Sequence, residues 1–259
     1  DASATVVDRD ERVWLERRLR ELAMDAELIF RPGDPDWVHF VERNARRDLV
    51  AKAVPVAIDS LFERQIAATR TVVGTSATLA VDGSFDYVKS RIGLHAAADL
   101  TTDAAFDFAR QARLYVATNL PPPPRGGESS DAYDRAIARA IRELTDVSGG
   151  RAFCLFTSHR ALNATWRLVH NQLAGPALRQ GEAPTTMLLD RFRRAGDAVL
   201  FGTRSFWEGV DIPGDALSLV VIARMPFAVP DDPVVAARTE RLRAEGRDWF
   251  REYALPRAT

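Results

Sequence analysis

The chain sorts its apolar positions into an irregular first part and a regular second part. Leu15, Leu19 and Leu22 recur on one helical face behind Asp8 and Glu11, which have the spacing of a capping box. Arg31-Pro32-Gly33-Asp34-Pro35 stops that helix, because proline and glycine favour turns. Trp37–Val41 and Leu49–Val54 read as the strands of a hairpin and Ile58–Ala68 as a helix. Thr71–Val73 reads as a short apolar strand closing in Gly74-Thr75-Ser76-Ala77-Thr78-Leu79, and Phe85–Leu94 as another short helix. From Thr118 to Asp131, four prolines (Pro121 to Pro124) and then Gly126-Gly127 mark an extended, solvated loop of polyproline character.

Beyond that loop the pattern becomes regular. Ala132–Leu144, Ala161–Leu173, Met187–Arg194 and Asp232–Glu245 read as helices. Ala152–Phe156 reads as a buried strand, and Ala198–Phe201 and Leu217–Ile222 as strands. Apolar strands alternating with amphipathic helices imply crossover units around a parallel sheet covered on both faces, an α/β fold. In such sheets ligands bind beyond the carboxyl ends of the strands, so the polar residues after each strand are the candidates for chemistry.

Composition narrows the classes. Hydrophobic residues make up 46% of the 259 and charged residues 27%, as in a soluble globular protein. No uncharged apolar run approaches the roughly 20 residues needed to cross a bilayer. Asp1-Ala2-Ser3-Ala4 lacks the basic and apolar regions of a signal peptide, which makes the cytoplasm the default expectation. The single cysteine, Cys154, permits no internal disulfide and cannot alone supply a four-cysteine zinc or iron–sulfur site; mid-strand, it reads as a small core residue. Thirty-five Lys and Arg against 36 Asp and Glu leave a net charge of −1, so any nucleic-acid contact would come from a local groove.

Three strand ends carry hydroxyl residues: Thr75-Ser76-Ala77-Thr78, Thr157-Ser158-His159-Arg160, and Gly202-Thr203-Arg204-Ser205-Phe206-Trp207-Glu208-Gly209-Val210-Asp211. Hydroxyls, backbone N–H groups and the positive end of a following helix suit phosphate oxygens. Taken singly, the first two also read as ordinary helix caps. His159 reads as a loop or packing histidine, and Phe206-Trp207 as a hydrophobic anchor, with base stacking as the alternative. The third end is richer. Gly202 and Gly209 let the backbone approach a ligand, Glu208 and Asp211 add two carboxylates, and Pro213-Gly214 forces a turn.

Ser76-Ala77-Thr78, Leu155-Phe156-Thr157-Ser158 and Ser205-Phe206-Trp207-Glu208-Gly209-Val210-Asp211-Ile212-Pro213-Gly214 occur in this order. They resemble motifs III, IV and V of the DinG/XPD-like branch of superfamily 2 helicases. Met225-Pro226-Phe227, Pro230, Asp232-Pro233, Ala237-Arg238 and Tyr253-Ala254-Leu255-Pro256-Arg257-Ala258 resemble its tail, and Trp37 to Ile58 the segment leading back into its first motor domain. The resemblance implies a RecA-like second motor domain preceded by the end of the first. Residues 1–36 would end an arch insertion, 37–95 the first motor domain, and 96–259 would form the second.

It also implies roles. Ser76, Ala77 and Thr78 would couple nucleotide state to domain closure. Thr157, Ser158, Thr203, Arg204 and Ser205 would lie along single-stranded DNA, and Glu208, Gly209 and Asp211 would face ATP. The implied activity is ATP-driven translocation on single-stranded DNA, 5′ to 3′, in repair or replication, with ATP and Mg²⁺ as cofactors of an intact parent. The sequence contains no G-x-x-x-x-G-K-[ST] phosphate loop, no Asp-Glu-Ala-His box for Mg²⁺ and no four-cysteine cluster. It also ends before motif VI would be expected, so the chain reads as an internal piece of a longer helicase, inactive alone and with no metal site of its own. The alternative is a stand-alone RecA-like module that binds single-stranded nucleic acid or a partner without hydrolysis.

Overall fold

The computed structural model describes residues 9–31, 33–103, 106–124, 130–228 and 231–258. In chain order the elements are helix α1 (Arg9–Phe30), strands β1 (Trp37–Arg43) and β2 (Leu49–Pro55), and helices α2 (Asp59–Phe62), α3 (Asp86–Ile92) and α4 (Phe108–Gln111). Then come α5 (Asp131–Ser148), β3 (Ala152–Leu155), α6 (His159–Val169), β4 (Ala177–Arg179), α7 (Thr185–Ala195), β5 (Val199–Gly202), β6 (Leu219–Ile222), α8 (Pro233–Ala244) and α9 (Leu255–Ala258). The contacts divide them into two compact units, one of residues Asp1–Thr101 with Ala228–Thr259, the other Thr102–Phe227.

The second unit holds a four-stranded sheet of order β4-β5-β3-β6, every neighbouring pair parallel. Strand β3 is buried along its whole length, as a central parallel strand covered on both faces must be. Alternation splits its side chains. Ala152 and Cys154 join Ile137, Ile141, Leu162, Val199 and Phe201 under α5 and α6, while Phe153 and Leu155 join Leu188, Phe192, Leu200 and Phe206 on the α7 side. Cys154 is a core residue: burial pushes its thiol pKa up, which keeps it a neutral, unreactive filler. The fold is α/β, a parallel sheet flanked by helices, the class the sequence implies.

Helices α5, α6 and α7 of this unit form where the periodicity predicts them, and the one-turn α4 was not foreseen. Ser130 caps α5 by accepting from the Tyr133 N–H, and Ser158 caps α6 by accepting from the Ala161 N–H at 3.2 Å. Strand β4 escapes sequence reading because three residues are too few to show alternation.

In the first unit β1 and β2 form the expected antiparallel hairpin, Trp37 opposite Pro55 and Arg43 opposite Leu49. The Ile58–Ala68 segment is helical, α2 running into a wider π turn over Glu63–Ala67. Thr71–Val73, expected as a strand, is not one. No described strand pairs with it, and without neighbours to take its N–H and C=O groups the segment makes no ladder, leaving Val73 86% exposed. Leu15, Leu19 and Leu22 of α1 are exposed; Asp8 of the expected capping box lies outside the described residues. The sequence groups 96–259 together, whereas the tail from Ala228 packs with the first hundred residues. Arg238 of α8 donates to the Val56 carbonyl, and Arg241 pairs with Asp36 at 2.9 Å.

Candidate nucleic-acid interface

The loops after β3 and β5 leave adjacent strands at the same carboxyl edge, because Leu155 stands opposite Gly202 in the parallel register. The Phe156 N–H donates to the Gly202 carbonyl at 2.9 Å, extending the pairing by one residue before the chains separate. Thr157 and Ser158 lie exposed on the first loop. On the second, Thr203 is buried, whereas Arg204, Ser205, Glu208, Gly209 and Asp211 are exposed.

Packing decides the course of the second loop. Phe206 turns back into the core, edge-on to Phe153 with ring centroids 6.3 Å apart. Its ring lies against Gly202, where an added Cβ would sit 2.7 Å from Phe206 Cδ2. Glycine is required at that point for close approach. Trp207 Nε1 donates to the Phe156 carbonyl at 3.4 Å, linking the two loops. Phe206 is thus the hydrophobic anchor the sequence suggested, and its ring is not free to stack on a base.

A polar clamp completes the loop. Gln180, just past β4, accepts from both the N–H and the hydroxyl of Thr203, at 2.6 and 2.9 Å. Its Nε2 donates to Ser205 Oγ at 3.0 Å. The Thr203 hydroxyl is therefore engaged inside the protein, while Arg204 projects between two fixed neighbours. Arg193 of α7 donates to the Asp211 carbonyl at 3.0 Å, holding the far end of the loop while the Asp211 carboxylate stays exposed. Gly209 has φ = 72°, a left-handed conformation that L side chains rarely adopt, and nothing lies within 4 Å of the place of its missing Cβ.

Sequence reasoning missed Gln180 and Arg193. A glutamine directly after an unrecognised strand carries no pattern, and an arginine late in an amphipathic helix reads as solvated surface.

In the other unit, Ser76 and Thr78 form a compact turn. Their hydroxyls lie 3.3 Å apart, and the Thr78 N–H donates to Ser76 Oγ at 3.2 Å. All three of Ser76, Ala77 and Thr78 are exposed.

ATP with Mg²⁺ meets only part of a site among the residues present. Glu208 and Asp211 are carboxylates suited to a ribose hydroxyl, yet the sequence offers no phosphate loop. Among the described residues no group of three or more His, Cys, Asp or Glu is placed to hold a metal ion. These residues do not by themselves fit the triphosphate and its metal, so no chemical step is assigned to this chain. No described helix is long and apolar enough to cross a membrane.

Residues 141–259 match the family described as the helicase C-terminal domain. The chain carries a DinG-like helicase C-terminal region. It is 38% identical over 251 residues to the ATP-dependent helicase DinG of Mycobacterium tuberculosis H37Rv, covering 93% of this chain and 37% of that protein. It is 37% identical over 250 residues to the ATP-dependent DNA helicase YoaA of Escherichia coli K12, covering 96% and 37%. A Bacillus subtilis protein named 3'-5' exonuclease DinG is 31% identical over 265 residues, covering 99% and 28%. The chain thus spans little more than a third of the first two relatives and less than a third of the last.

Proposed function

We propose that the DinG-like region serves an ATP-dependent DNA helicase, with the loops after β3 and β5 forming a track for single-stranded DNA. The observation that carries this reading is the pairing of those loops at one sheet edge, tied by the Trp207–Phe156 bond and presenting Thr157, Ser158, Arg204 and Ser205 outward. Exposed hydroxyls and a guanidinium suit phosphodiesters. The names of the mycobacterial and enterobacterial relatives point the same way.

In this reading Ser76, Ala77 and Thr78 couple nucleotide state to closure, and Glu208, Gly209 and Asp211 face ATP, whose Mg²⁺ is held by residues of the intact parent. Translocation runs 5′ to 3′, in the cytoplasm, in the service of repair or replication. The test is unwinding by the intact parent of partial duplexes with either a 5′ or a 3′ overhang, with ATP and Mg²⁺. Unwinding from the 5′ overhang alone is expected. Unwinding of neither substrate overturns the helicase reading, and unwinding from the 3′ overhang alone overturns the polarity.

A further inference from the structure

Tyr253 is 3% exposed and lies under three arginines that have no acidic partner among the described residues. The guanidinium carbons of Arg91, Arg238 and Arg257 each lie 5.8 Å from its ring centroid. Its hydroxyl accepts from Arg257 Nη1 at 2.7 Å and from Arg238 Nη1 at 3.4 Å. Arg91 and Arg238 are half-buried, and Arg257 is exposed.

Among the described residues no carboxylate lies within 4.0 Å of any of the three guanidinium groups. Three of their neighbours do have such partners. Arg241 pairs with Asp36 and Glu245, Arg247 with Glu245 and Glu252, and Arg251 with Asp248. Arg243, with no described carboxylate partner either, stands singly over Trp249, whereas Arg91, Arg238 and Arg257 converge on one ring.

We propose that Arg91, Arg238 and Arg257 form a binding site for a phosphate group, borne by a nucleic-acid backbone or by a nucleotide. Guanidinium forks fit phosphate oxygens two at a time, and a dianion among three like charges relieves their mutual repulsion. Cation–π contact with Tyr253 holds the forks together while the site is empty of anion. Burial first, and then the nearby charge of Arg238, lowers the pKa of the Arg91 guanidinium. Burial raises the pKa of the half-buried Tyr87 hydroxyl, which feels the charge of the same three arginines. None of these residues belongs to the loops after β3 and β5.

The test titrates the 259-residue chain with a labelled short oligothymidylate and, separately, with ATP. The Arg91→Gln/Arg257→Gln double variant is compared with Arg257→Gln alone, a change at an exposed position that keeps the fold. The double variant should lose roughly tenfold in affinity for the probe that uses the site. If that probe is the oligonucleotide, the log–log salt slope should also shrink by about 0.7 for a lost phosphate contact. A loss confined to the oligonucleotide assigns a backbone phosphate, and a loss confined to ATP assigns a nucleotide phosphate. Unchanged affinity for both probes in both variants, or no binding of either probe by the unaltered chain, overturns the proposal. Arg204→Ala, on the other unit, reports separately on the DNA track.

Discussion

Gln180 accepts two hydrogen bonds from one residue, Thr203, through a single amide oxygen. A side chain at the end of an edge strand thereby fixes the first turn of the loop that carries Arg204 and Ser205. Removing the acceptor leaves a buried hydroxyl and a backbone N–H unpaired, which costs about 1–3 kcal/mol. Gln180→Leu should lower the stability of the chain by that amount in urea denaturation and weaken single-stranded DNA binding. Thr203→Val, which removes only the hydroxyl, should cost about 1 kcal/mol. Equal stability of Gln180→Leu and the parent would show that the clamp contributes nothing.

Gly202→Ala should be destabilising for a steric reason. The new methyl would lie 2.7 Å from the Phe206 ring, which is itself packed against Phe153. Overpacking of this kind costs about 1–3 kcal/mol. Thermal unfolding checks it, and a melting temperature equal to the parent's would mean the ring moves aside freely.

Arg204→Ala tests the proposed DNA track. The side chain is exposed and no described carboxylate pairs with it, so its loss should leave stability within about 0.5 kcal/mol. Affinity for single-stranded DNA should fall, and the log–log salt slope should shrink by about 0.7. Fluorescence anisotropy at several salt concentrations measures both. An unchanged slope places Arg204 away from phosphate.

Asp211→Ala separates fold from function at the far end of the loop. Arg193 holds the Asp211 backbone carbonyl, which the substitution preserves, while the exposed carboxylate is lost. In the intact parent the variant should therefore fold normally and lose about tenfold in DNA-stimulated ATP hydrolysis, the worth of one charge-assisted hydrogen bond. Steady-state ATPase assays with and without single-stranded DNA decide it. Unchanged turnover removes Asp211 from the nucleotide site.

How far the pattern carries depends on whether burial is local. Strands β3 and β5 were readable as continuous apolar runs, β6 and helices α5, α6 and α7 because each buries a face whose period is written into its own residues, and α8 is marked by its Asp232 cap and Pro233. Thr71–Val73 has the composition of a strand but no described partner, and a strand exists only through its neighbours. Of the site, Thr157, Ser158 and the residues from Gly202 to Asp211 were found from their hydroxyls, glycines and carboxylates at strand ends. Gln180 and Arg193 were not, since a hydrogen bond spanning 23 or 18 residues leaves no local trace.

The sequence alone determined the α/β class, the parallel sheet and the positions of its exposed loops, because periodicity and turn chemistry act over a few residues. Only the tertiary structure decided that Thr203 turns inward while Arg204 faces out, that Phe206 closes the loop on Gly202, and that Arg91 meets Arg238 and Arg257 over Tyr253. Those outcomes depend on which side chains compete for the same space and the same hydrogen-bond partner. That competition exists only once distant segments have packed.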